Sequence, residues 1–227
     1  MWLLLVPWLA HAEVPLPSYR EDMAEDAWYA MNAKVEAGLE RDNLARSVDD
    51  DGTLREEAKA LYREAIAWAE AYEAQVLATA GLAHLRGLAW RYLDEPAKAE
   101  EAFHQSVARD PDYAAPWSDL GELAMADGRW ADAREAFTKV SELRASGEYA
   151  WLGPIRLAEV AAFQKDTTAF EQAVRDALSR GWSIRKIEGD DRWRGFYADP
   201  DMRGSVEKLV LVYGDRSLLE SIAVPGG

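Results

Sequence analysis

The sequence contains no cysteine. That excludes disulfides, thiolate metal sites, cysteine nucleophiles and a lipid anchor on cysteine. It does not fix the compartment, because an exported protein can do without disulfides. Basic residues are scarce: 26 Lys and Arg face 41 Asp and Glu, giving a formal net charge of -15. This balance argues against nucleic acid, whose phosphates are held by clustered Lys and Arg. It also argues against anionic membrane surfaces. Histidine is nearly missing, with His11, His84 and His104 only, and no pair has the spacing of a metal-binding helix. There is no Gly-rich phosphate loop and no Gly-x-Ser-x-Gly elbow. Nothing places a histidine beside a reactive serine. Among 41 carboxylates some pair would always imitate a glycosidase dyad, so none is singled out. No cofactor, metal or catalytic residue is expected.

What is present begins with an apolar label. Residues 1–12, MWLLLVPWLAHA, hold no acidic or basic residue. Trp2 to Leu9 form a short apolar run, and Ala10-His11-Ala12 fits the small-x-small rule for signal peptidase. The reading is a signal peptide cleaved after Ala12, with the product exported to the periplasm or outside the cell. The n-region lacks Lys and Arg, so a buried N-terminal helix is the alternative. The run falls well short of the roughly 20 apolar residues that span a bilayer. No other segment reaches that length, so no membrane span is expected.

The remainder is rich in Ala, Leu, Glu and Arg, all good helix formers. Strand-like alternation is confined to Leu209-Val210-Leu211-Val212-Tyr213. Leu54, Ala58, Leu61, Tyr62, Ala65 and Trp68 fall on one helical face, and Thr53 with Glu56 reads as a capping box in front of them. Breaks at Asp94-Glu95-Pro96, Asp110-Pro111, Asp127-Gly128, Ser146-Gly147, Gly181, Gly189 and Asp199-Pro200 separate helices of about 13 to 18 residues. The stretch Ser47 to Thr53 has the outline of a calcium loop. However, Ala58 stands where the bidentate Glu belongs, which favours a solvated acidic loop.

A period of 34 residues runs through the middle of the chain. With Ala80 and Ala114 as first positions, Gly87 matches Gly121, Ala99 matches Ala133, and Phe103 matches Phe137. Pro111 ends the first unit, and Trp117 stands at position 4 of the second. Together with Trp117-Ser118-Asp119-Leu120-Gly121, this spacing resembles the tetratricopeptide repeat. Small residues at positions 8 and 20 let two helices approach, and aromatics at 4 and 24 fill the remaining space. The first unit departs from the pattern with Ala83 at position 4 and Arg86 at position 7, where Leu82 and Leu85 are expected to supply the bulk. Weaker units flank these two. Trp151 to Gly181 starts 37 residues after Ala114. Upstream, Ser18 to Leu39 and Leu54 to Trp68 form a pair in which Ala58 and Tyr62 act as positions 20 and 24, joined by an acidic loop over 42–52.

The resemblance implies an all-α fold: a right-handed superhelical array of antiparallel helix pairs with a C-terminal helical cap. The implied segments are a signal peptide at 1–12, N-terminal helices with a degenerate repeat at 13–79, repeats at 80–181, and a cap and tail at 182–227. The cap proper covers 182–213. Its Gly181-Trp182 and Asp199-Pro200-Asp201 resemble the endings of many bacterial repeat proteins. Trp90, Trp117, Trp130 and Trp151 are expected in the core, and Trp182 and Trp193 at the surface.

In this family the first helices of successive units line a concave groove. That places His84, Leu88, Arg91 and Tyr92 in the groove from the first unit, Ser118, Glu122 and Met125 from the second, and Ile155, Glu159 and Phe163 from the third. Only Arg91 could serve a carboxylate clamp, so none is expected. The implied partner is a protein or peptide with apolar anchors and basic character, drawn to the acidic surface. The leading reading is a non-catalytic scaffold or adaptor of the cell envelope or extracellular space. The alternatives are a carboxylate-dependent hydrolase, which requires a pocket with converging acids and a raised pKa, and a self-assembling structural component. Oligomeric state is left open.

Overall fold

The computed structural model describes residues 17–48 and 51–223. The expected signal peptide at 1–12 lies outside the described residues, as do Asp49 and Asp50 of the acidic segment. Every regular element among the described residues is helical. The chain divides into two compact units between Arg109 and Asp110, inside the stretch 80–181 read as one run of repeats. Each unit has its own core.

Unit 1 contains α1 (Pro17–Ser47), α2 (Thr53–Gln75), α3 (Ala80–Tyr92) and α4 (Pro96–Arg109). α1 pairs with α2 and α3 with α4, and α3 also packs on α1 and α2. Met31, Val35, Ala58, Tyr62, Ala65, Leu82, Leu85 and Ala89 form the core. The close approach within each pair is visible at its glycine. A methyl group added to Gly87 would sit 2.4 Å from the Phe103 ring, and one added to Gly38 would sit 2.4 Å from the Tyr62 ring. Gly38 therefore takes the place in the first pair that Gly87 takes in the second.

Two expectations fail in the first pair. The helices are longer than the sequence predicts, at 31 and 23 residues, and α1 takes up residues 42–47 of the expected loop. α1 continues through Ser47 because its last turns have work to do: the Tyr62 hydroxyl donates to Asp42 at 2.8 Å. Burial and this bond push the Tyr62 phenol well above its ordinary range. The capping box is not formed either. Gly52, left-handed with φ 99°, stands at the cap of α2. Asp51 accepts from the Thr53 amide at 3.0 Å and from its hydroxyl at 2.5 Å, and Glu56 pairs with Lys59 at 2.8 Å. The carboxylate is the stronger acceptor and wins the threonine.

Arg86 fills the position-7 site as a buried ion. It meets Glu73 at 2.5 Å and Gln105, and Glu73 also accepts from Arg109 at 2.7 Å. Leu82 and Leu85 are buried beside it and supply the apolar bulk.

Unit 2 contains α5 (Ala114–Ala126), α6 (Trp130–Leu143), α7 (Leu152–Phe163) and α8 (Thr167–Ser179), then a 3-10 turn at Ile184–Ile187. It ends with α9 (Asp191–Ala198), α10 (Pro200–Tyr213) and α11 (Arg216–Ile222). α5 pairs with α6 and α7 with α8; α6 packs on α7, and α10 on α8. Gly121 lies under Phe137, where a methyl would come within 2.5 Å of the ring. The next pair keeps the spacing and exchanges the sizes. At an offset of 37 residues, Ala158 replaces the glycine, Phe170 the small alanine and Val174 the ring, and all three are buried together.

The cap shares one core with α7 and α8. Trp182 and Trp193 are buried at 6% and 1% exposure, with rings stacked 5.6 Å apart, which overturns their expected exposure. Polar and glycine neighbours made them read as surface, but α8, α9 and α10 close over them. Leu209 to Tyr213 is the last turn of α10, not a strand. Asp199 caps that helix, accepting from the Asp201 amide at 2.9 Å ahead of Pro200 in the first turn. No described helix is long and apolar enough to cross a membrane.

Candidate partner-binding site

The turn inside each helix pair sets where the flanking side chains point. Asp94, Gly128 and Lys165 occupy equivalent turns and all adopt positive φ, of 60°, 70° and 59°. Just before the first turn, α3 ends with three half-buried groove candidates, Leu88, Arg91 and Tyr92. The Arg91 guanidinium lies 5.6 Å over the Tyr92 ring, and Tyr92 rests against Tyr62 at 5.2 Å. His84, one turn back, is buried with its ring 5.7 Å from Phe103.

In unit 2 the corresponding positions carry a charge cluster. Glu122 on α5 and Glu159 on α7 share two arginines. Arg156 reaches Glu122 at 2.8 Å and Glu159 at 2.7 Å. Arg192, from the first turn of α9, donates to Glu159 and, at 3.2 Å, to Glu122. Glu159 is only 3% exposed. Burial pushes its carboxyl above the usual range, opposed by Arg156 and Arg192. Here two acids do converge, and burial raises one of them, Glu159, as a hydrolase would require. Yet both guanidiniums occupy the space between them, and neither carboxylate lines the two clefts of this unit described next.

The first cleft, about 690 Å³, runs along α6 past Trp117, Ala131, Glu135 and Thr138. The second, about 460 Å³, is floored by Phe163 and Phe196 and walled by Arg192, Asp191 and Asp199. It continues an aromatic row: Trp130 stacks on Phe163 at 5.2 Å, and Phe163 meets Phe196 edge-on at 5.1 Å.

The family model of the tetratricopeptide repeat matches residues 93–152. Residues 93–152 carry the tetratricopeptide-repeat pattern. A solved tetratricopeptide repeat protein from Parabacteroides merdae is similar over 90% of this chain and 84% of that one, with a TM-score of 0.50 and 14% identity. That likeness concerns the fold alone. No curated protein matches.

Tetratricopeptide repeats form protein–protein interaction scaffolds, and the expected groove positions divide into reachable and buried ones. Leu88, Arg91, Tyr92, Ser118 and Glu122 are half-buried and reachable, and Phe163 is 44% exposed. His84, Met125, Ile155 and Glu159 are buried and cannot meet a partner as expected. Ile155 is absorbed into the core that the cap builds, and Glu159 is covered by Arg192. Sequence reasoning missed Arg192 and Phe196. Their only signal was the Asp190 cap ahead of a short amphipathic helix, which says nothing about what that helix covers.

Proposed function

We propose that the protein is an exported, non-catalytic scaffold that holds a protein or peptide in the cell envelope or outside the cell. The observation that carries this reading is the half-exposed cluster of Leu88, Arg91 and Tyr92 at the end of α3. It combines an aliphatic anchor, a cation and a ring on one turn of a rigid helix, a composition typical of interface centres. The apolar label at residues 1–12 supports export.

Photo-cross-linking in the native host tests the scaffold reading, with the reactive group placed at Leu88. The expected result is a discrete protein adduct that Tyr92→Ala diminishes. Absence of an adduct, or one indifferent to Tyr92→Ala, overturns this surface. Mass analysis of the secreted or periplasmic protein tests the address. A chain starting at Glu13 is expected, and one retaining Met1 would refute cleavage.

A further inference from the structure

We propose that the edge of unit 2 bearing Trp130, Phe163 and Phe196 docks a peptide segment that alternates basic and apolar residues. The proposal rests on the scaffold reading and names the chemistry of one partner segment. The aromatic row is continuous, from Trp130 through Phe163 to Phe196, yet Phe163 is left 44% exposed. Beside it the cleft of about 460 Å³ opens next to Gly195, where an added methyl would meet nothing within 4 Å. This is room for an apolar side chain on a floor of rings.

The rim of this edge selects the sign of the partner. Arg129 is shared by Asp127 and Asp132 at 3.2 and 3.0 Å. Lys165 is shared by Asp199 and Asp201 at 3.2 and 2.7 Å. Each turn flanking the row therefore holds two carboxylates on one cation and keeps a surplus of negative charge. Arg192, the cation in the cleft wall, is already matched by Glu122 and Glu159. An incoming guanidinium or ammonium would find carboxylate lone pairs and ring faces, both of which attract cations. An acidic segment would be repelled.

The test uses the full chain and a fluorescein-labelled peptide of alternating Arg and Leu. Control peptides alternate Glu with Leu and Arg with Ser. The Arg-Leu peptide is expected to bind, the two controls at least about tenfold more weakly, and raised salt to weaken binding further. Gly195→Leu fills the cleft and is expected to lower affinity by about tenfold or more. Leucine is the better helix former, so the melting temperature should hold or rise, which separates blockage from misfolding. Phe163→Ser should weaken binding likewise. The proposal is overturned by failure of the Arg-Leu peptide to bind, by equal binding of either control, or by indifference to Gly195→Leu. Binding that survives Gly195→Leu but is lost in Tyr92→Ala moves the site to α3, leaving the scaffold reading intact and this one refuted.

Discussion

A single methyl group probes what holds a helix pair together. Gly121→Ala would force a carbon to within 2.5 Å of the Phe137 ring, so either the ring or the helix must shift. Overpacking of this kind costs about 1–3 kcal/mol, and the expected outcome is a lower urea midpoint. Adding Phe137→Leu should recover part of the loss, because the two sites are in contact and their effects do not add. This contact could be read in advance, because the glycine and the ring recur with one spacing in two consecutive units. The matching contact of Gly38 with Tyr62 could not, because the longer helices of that pair push the partners out of register. Nor could Glu159 and Arg192, whose pairing depends on α9 folding back onto α7. Composition placed Trp182 and Trp193 at the surface, because local polarity carries no information about elements that arrive later in the chain.

Turns show the same boundary between what is local and what is not. Breaks at Asp94 and Gly128 follow from sequence, whereas the turn at Lys165 has no such signal, yet all three use left-handed backbone. Glycine adopts that conformation without strain, whereas aspartate does so at a cost. Asp94→Gly is therefore expected to stabilise unit 1 by about 0.5–1 kcal/mol, read from thermal unfolding. Lys165→Gly should not give the same gain, since it also removes the bridge to Asp199 and Asp201. α1 and α2 outrun the lengths the sequence predicts for a physical reason. Acidic residues before a glycine ordinarily mark a loop, but here Asp42 is anchored by Tyr62 and the helix continues past it.

Across both units, resistance to acid should depend on carboxylates at the helix starts. The Thr53 side chain and amide hold Asp51 below its usual range. The Asp201 amide and then Lys165 hold Asp199 down, and Ser217 does the same for Asp215. Each carboxyl is more acidic folded than unfolded. The stability it contributes is thus present above the unfolded value of 3.8 and lost as pH falls through the lowered folded value. Glu159 works the other way: burial raises it, so its ionisation costs stability as pH climbs past 4.5. Denaturant midpoints should therefore decline toward neutral pH as Glu159 ionises and fall again as pH drops below 3.8. Asn at position 199 should flatten that fall. The stacked indoles of Trp182 and Trp193, 5.6 Å apart, carry an optical consequence. Two chromophores so close couple their transitions and give a circular-dichroism couplet that neither shows alone. That signal would report by light, without a label, the moment the last helices let go.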